Sequence, residues 1–539
     1  MVLAPHASFL PRSYNARRLQ ELPFVSHAVN GSIKQDYLLD LAWVYDKVCG
    51  ADVFQVLEDI ALERSNDADV QWLAKALREA APALAFDGRQ LHSQLFARLT
   101  QDFPAASPPP AAEPGAAPVA PEPSEYVAVP EGRALLRAAL AACVAPPAPA
   151  LLPLPAKVPD DVPDRLDLIV RIRDYPDYVV AVSTAKEEIA VWDIVRCERV
   201  RVLRGVPQPL SLQVVDSHRC IVLCQRELRI YDLDSCSLLA KLKGVMNQKM
   251  PYYGLHDQSH LVALSRNRMY VNLMNLDSGD CVTTFKAGED RFLNSLLVSG
   301  DGRVLVCGDE TQKPFPLLVW NLASRKLLYD LRIPHHDFVT SLAAITHEGH
   351  YVCCVAQEVD EPSANFIVVY DLQSGTLFKK WKPGVNTVSL NISSRDGCVI
   401  SGLQDGRVLV WDLITGNCRW TLSGHTAPVD YLRLDAHGGI FLSADSKCRD
   451  RSLRLWDLNK GALVAVFTAR QPVTACEVTH GGEVLLLAEE GAGHPTTLRL
   501  KGRAAATPPA AQPTNGQPGQ QPSRYFGNPE HHGRIVDFR

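Results

Sequence analysis

One short pattern returns along this chain at nearly even intervals, and it constrains the fold more than any other feature. Trp192-Asp193, Tyr231-Asp232, Trp320-Asn321, Tyr370-Asp371, Trp411-Asp412 and Trp456-Asp457 each close a run of β-branched and aliphatic residues. A weaker copy, Met274-Asn275, fills the one remaining gap. Successive spacings are 39, 43, 46, 50, 41 and 45 residues. A repeat of roughly 40–50 residues, carrying several short strands, predicts a ring of four-stranded blades, a β-propeller. Each repeat supplies two strands, then the one that ends at the aromatic–acid pair, then an outer strand such as Cys418–Leu422 or Leu463–Phe467. Asp301-Gly302 and Asp405-Gly406 read as hairpin turns in which glycine accepts a positive φ.

The propeller is expected to span 164–501. After Trp456 three further strands follow, Val473–Val478, Glu483–Leu487 and Thr496–Leu500, without an aromatic–acid pair or a following outer strand. A segment before Asp164 could close the ring. Eight blades are favoured and seven are possible.

Residues 13–101 read as a helical connector of short amphipathic helices, opened by Ser32-Ile-Lys-Gln35, Asp52, Asp69 and Asp87. Four short helices bury little alone, so this segment needs a partner domain. Sixteen of the 38 prolines fall between Pro104 and Pro163. Proline removes amide donors and breaks helices, so 102–163 reads as a Pro/Ala-rich linker, with one helix near 132–143 able to interrupt it. Residues 502–539 read as a disordered tail, and its His531-His532 pair as solvated.

Composition narrows the function classes. A net charge of −5 over 539 residues offers no dense basic surface, so neither a nucleic-acid nor an anionic-membrane partner is expected. The most apolar stretch, 134–156, is broken by Pro146, Pro147 and Pro149, so membrane insertion is not expected. The N-terminus lacks a secretion signal, and the 14 cysteines lack zinc spacing; reduced thiols in a cytoplasmic protein are expected. No phosphate-cradling glycine loop and no His-Glu-x-x-His motif occurs, so no cofactor and no metal are expected.

The best-formed repeat, Leu422–Leu458, carries Gly424-His425, Val429, Leu432, Leu434, Ser443, Asp450 and Trp456-Asp457. It resembles the WD-repeat family. That resemblance implies a buried hydrogen-bonded network of His425, Ser443, Asp450 and Trp456. A partial set, Ser401, Asp405 and Trp411, stands one repeat earlier, where Val385 replaces the histidine. Lys186 and Gln225 occupy the aspartate position in the first two repeats, so most blades rely on apolar packing. Serine, histidine and aspartate together also suggest hydrolase chemistry. A serine inside a strand argues for pinning a blade instead, so no catalytic residue is expected. Lys447, Arg449, Arg451 and Arg454 form the densest basic stretch and read as a solvated face. Three lengthened turns, 446–449, 311–315 and 360–364, are places where partner contacts would accumulate.

The run Asn15-Ala-Arg-Arg-Leu-Gln-Glu-Leu-Pro-Phe24, ahead of helices and a propeller, is similar to NACHT and WD-repeat proteins. The resemblance implies a regulatory scaffold working with an ATPase module, whose nucleotide-binding residues this sequence lacks. The leading expectation is a non-enzymatic scaffold for protein–protein interaction. The alternative is the sensor part of a NACHT-type ATPase.

Overall fold

The computed structural model describes residues 14–105, 121–172, 175–224, 227–242, 253–286, 288–361, 365–435, 438–446 and 449–502. Thirty-two strands form eight antiparallel four-stranded sheets arranged as the blades of a propeller. Blades one to seven take consecutive strands: 168–204, 211–242, 253–285, 297–331, 336–381, 387–422 and 431–468. Blade eight takes Val473–Thr479, Val484–Glu489 and Thr496–Lys501, and then the segment Ala150–Leu154 as its outer strand. The ring therefore has eight blades, and its closure joins positions some 350 residues apart, with Ala150 opposite Lys501. Leu151, Leu152 and Leu154 of the closing strand are all buried.

The repeated pair has two separate jobs. Each aromatic fills the space against the preceding blade. Trp192 shares a core with Ala475 and Leu486 of blade eight, Tyr231 with Val191 of blade one, and Trp320 with Leu264 of blade three. Tyr370 does the same with Val319, Trp411 with Val355, and Trp456 with Ile400. In all seven blades the ladder to the outer strand shifts register immediately before this residue, a bulge that turns the large side chain toward its neighbour.

The acidic partner staples the next turn. Asp193 accepts the amides of Val195 and Arg196, both at 2.9 Å, and Asp457 those of Asn459 and Lys460. Asp232, Asp371, Asp412, Asn275 and Asn321 cap their turns likewise. The Asp-Gly turns behave as the sequence predicts. Gly302 and Gly406 have φ of +71° and +88°, and a Cβ at Gly302 would sit 1.7 Å from the His256 carbonyl oxygen.

The helical segment runs α1 (Ala16–Asn30), α2 (Leu41–Gly50), α3 (Val53–Glu63), α4 (Ala68–Phe86) and α5 (Leu91–Asp102). Ser32 forms no capping box; its hydroxyl donates to Glu63, and a π-turn at Lys34–Leu38 precedes α2, which Asp40 caps. Asp52 caps α3 as expected, while Asp67 caps α4 in place of Asp69, whose carboxylate is taken by Arg133 and the Leu135 amide.

The partner domain that these helices need is the propeller's own edge. α5 lies across the closing strand and blade seven. Ser93 accepts the Leu151 amide at 3.1 Å, Gln90 donates to the Thr468 hydroxyl at 3.0 Å, and Gln94 donates to the Thr468 carbonyl at 3.2 Å. Polar side chains on the buried face of α5 thus pair backbone groups that two edge strands would otherwise leave open.

The linker expectation for 102–163 fails beyond residue 121. Pro123–Tyr126 is a 3₁₀ turn, the helix expected near 132–143 is present as α6 (Ala134–Val144), and Leu135, Leu136 and Ala139 enter the helical core together with Leu152 and Leu154. Among the described prolines, Pro123 opens the 3₁₀ turn and Pro153 stands on the outer strand of blade eight, where a missing amide costs nothing. The tail from 503 on lies outside the described residues, as do the prolines of 106–120.

Candidate functional site

Two constellations stand out, one closed and one open. In blade seven the four residues singled out from sequence come together. His425 Nδ1 donates to Asp450 at 2.7 Å, the Ser443 hydroxyl donates to His425 Nε2 at 2.8 Å, and Trp456 Nε1 donates to the Ser443 oxygen at 2.7 Å. Asp450 also accepts the Ser452 amide at 2.8 Å. Burial lowers the His425 pKa, so the imidazole is neutral, and this tautomer satisfies every polar atom in the chain of bonds. Burial pushes the Asp450 carboxyl upward, but the His425 hydrogen bond and neighbouring donors outweigh it and hold the pKa low.

The side chains of His425 and Asp450 have no exposed surface, and Ser443 is equally closed. A serine in that position cannot reach a substrate carbonyl; the set pins the second and third strands of the blade to the approach loop and to the turn that holds Asp450.

Blade six keeps half of this. Trp411 Nε1 donates to Ser401 at 3.0 Å, but Asp405 turns outward to Arg407 at 2.7 Å and joins no buried network. With Val385 in place of histidine, nothing inside the blade draws the carboxylate in. Trp192 has a buried indole nitrogen with no partner among the described residues, and Lys186 reaches out to the Val162 carbonyl instead. Gln225 lies outside the described residues.

The basic stretch dissolves into separate roles. Arg454 is buried, its guanidinium 5.1 Å from the Phe86 ring at the end of α4. Arg451 donates to the Arg470 carbonyl and Arg449 pairs with Asp445 at 3.0 Å. Lys447 is outside the described residues.

The open constellation is a cleft of about 420 Å³ across blades five to seven, with Gln357, Asn365, Asn386, Thr387, Gln404 and Arg449 among its lining residues. Asn365 donates to Asn386 at 3.0 Å. On the blade-seven side Asp430 accepts both the Ser446 amide, at 2.6 Å, and its hydroxyl, at 2.7 Å. The Thr387 hydroxyl is buried without a partner among the described residues. The three lengthened turns all connect the second and third strands of their blades, so blade topology puts them on one face of the ring, the face that holds this cleft. Sequence reading found the turns but not the carboxamides. Their signal was positional: Asn386 and Asp430 each stand just before an inner strand, and Gln404 opens the Asp405-Gly406 turn.

Among the described residues no cluster of three metal-ligating side chains occurs, and no helix is long and apolar enough to cross a membrane.

Residues 416–457 match the family described as WD domain, G-beta repeat. That span contains the whole tetrad. Among similar proteins, nuclear distribution protein nudF of Aspergillus niger is 23% identical over 58% of this chain and 64% of its own length. Transducin beta-like protein 3 of Bos taurus is 25% identical over 51% of this chain and 35% of its own. Mitochondrial division protein 1 of Neurospora crassa is 39% identical over 14% of this chain and 11% of its own. The chain thus spans less than two thirds of the length of these relatives. The computationally designed Ika8 protein aligns with 63% of this chain and 98% of its own at a TM-score of 0.50 and 17% identity, a likeness of fold.

Proposed function

We propose that this protein is a non-enzymatic propeller scaffold that takes an extended peptide segment of a protein partner into the cleft over blades five to seven. One observation carries the reading: carboxamides, which donate and accept at once, line an open cleft on the face where the long turns gather. Such groups match the amides and carbonyls of a peptide backbone, and a rigid ring holds them in place before binding. We place this activity in the cytoplasm.

The test is affinity capture followed by peptide mapping, with Asn386→Lys plus Gln404→Lys set against Lys460→Glu on the opposite face. Loss of the captured partner only in the cleft variant, with melting temperature unchanged, supports the reading. Equal capture by both variants overturns it.

A second reading, the sensor part of a NACHT-type ATPase, draws on α1. The helix that carries Arg17-Arg18-Leu19 leaves Phe24, Val25 and Val29 exposed at 65%, 51% and 77%, an apolar strip suited to a further module. An immunoblot against the propeller separates the two: a band near 59.2 kDa favours the free scaffold, a far larger one the ATPase.

A further inference from the structure

Blade five has a second chemically distinct surface at the same end of the ring as the cleft. Phe366 follows Asn365 directly, so the two side chains leave opposite sides of the sheet, Asn365 toward the cleft and Phe366 away from it. Around the Phe366 ring gather Lys380, with Nζ 4.1 Å from the centroid, Lys382 at 5.7 Å and the His336 ring, edge-on at 5.4 Å. His336 Nδ1 donates to the Pro334 carbonyl at 2.8 Å, so its Nε2 accepts from Lys380 Nζ at 3.0 Å.

Neighbouring cations are matched by acids: Arg332 and Arg291 by Asp330 at 2.8 and 2.9 Å, Lys313 by Asp337 at 3.1 Å. Lys379, Lys380 and Lys382 are different. Among the described residues no carboxylate comes within 4 Å of any of them. Both ammonium groups lie against the Phe366 ring, and both side chains are exposed.

We propose that this rim binds acidic side chains of the same peptide segment that enters the cleft; the inference rests on that cleft reading and names the chemistry of the partner. A blade is one sheet thick, so the two surfaces lie about 10 Å apart, which about three extended residues span. The partner is therefore a short acidic peptide with Asp or Glu roughly three residues from the part seated among the carboxamides. Glu358, Asp360 and Glu361 crown the adjoining hairpin. A long polyanion would have to run over them, and a short acidic segment would not.

The test is selection of random twelve-residue peptides displayed on phage against three forms of the full chain: wild type, Lys380→Glu plus Lys382→Glu, and Asn386→Lys plus Gln404→Lys. All four substitutions lie at the protein surface or cleft rim, and melting temperatures verify folding. Enrichment of Asp or Glu in peptides selected by the wild type, lost in the lysine variant while that variant still selects peptides, supports the proposal. For an individual acidic peptide the lysine variant should weaken affinity about fivefold or more, the effect shrinking with salt. Wild-type peptides without acidic enrichment overturn the rim proposal and leave the cleft reading intact. Peptides indifferent to the carboxamide variant overturn the cleft reading itself. Tighter binding of a twelve-nucleotide RNA than of any selected peptide, lost in the lysine variant, assigns the rim to nucleic acid and also overturns the proposal.

Discussion

Blades seven and eight are neighbours built on opposite principles. Blade seven is local: four consecutive strands, an aromatic–acid pair, and a tetrad that satisfies its buried polar atoms within 32 residues, from His425 to Trp456. Blade eight has no tetrad and no aromatic–acid pair, and borrows its outer strand from Ala150–Leu154. The difference explains why seven repeats make eight blades. The aspartate or asparagine of each pair staples the turn into the outer strand. Blade eight has no such turn, because its outer strand arrives from elsewhere, so no acid is needed there. Stability in one blade is a matter of buried hydrogen bonds; in the other it is a matter of closing a long loop and sealing it with α5.

The largest effect should come from breaking the closure. Leu151 is fully buried against Leu485, Leu487 and Leu498, so Leu151→Asp places an unpaired charge in the seam. We expect a loss of about 4–5 kcal/mol, visible in urea denaturation, and release of the helical segment to proteolysis. Protection of the helices with the ring destabilised would show that their docking does not depend on the closing strand.

Next comes the tetrad. Asp450→Ala leaves a buried imidazole and the Thr426 and Ser452 amides short of an acceptor and should cost about 2–4 kcal/mol. Asp405→Ala, at the aligned position of blade six, should cost under about 0.5 kcal/mol, because its carboxylate meets only Arg407 at the surface. Equal costs would mean that the tetrad adds nothing beyond its turn.

Histidines bring pH into the same comparison. His92, buried on α5 against Tyr45, has its pKa lowered by burial from 6.5 to about 4. His425 is shifted in the same direction. In both cases the unfolded chain takes up the proton first, so stability is lost as pH falls below about 6.5, and for His92 the loss runs on toward about 4. For His92 that amounts to about 3 kcal/mol at most. The urea midpoint should fall over this window, and His92→Gln should flatten the part of the slope that belongs to helix docking. A profile unchanged by that substitution would assign the whole slope to the propeller.

What was legible in the sequence follows the same divide. Blade seven could be read residue by residue, because its bonds join side chains within one repeat. The eighth blade was only half legible: its three inner strands show alternation, but the closing strand Ala-Leu-Leu-Pro-Leu154 sits in a Pro/Ala-rich stretch and carries Pro153. Only an edge strand, with one side free of ladder bonds, tolerates that residue. Asp405 looked like Asp450 by spacing, and spacing alone cannot show that an absent histidine leaves a carboxylate free to turn outward. The cleft was illegible for a related reason. Asn365, at a strand start, and Asn386 and Gln404, in two loops, lie up to 39 residues apart, and only the ring topology brings them together.

The smallest effect probes the turn itself. Asp412 accepts the amides of Ile414 and Thr415 at 3.0 and 2.7 Å and also faces Arg419 at 2.6 Å. The amide from Thr415 and then the Arg419 contact lower its pKa to about 2. Asp412→Ala should cost about 1 kcal/mol, since it removes the turn's acceptor at an exposed site. Asp412→Asn keeps that acceptor and gives up only the charge, so it should restore nearly all of the loss, as Asn275 and Asn321 do by nature in blades three and four. If asparagine were as costly as alanine, the ion pair with Arg419 would be the real staple. The acidic residue in each repeat would then be selected for its charge, and blade eight would be expected to compensate with a salt bridge of its own. The one at its outer edge, Lys501 to Glu122 at 2.7 Å, would be the place to look.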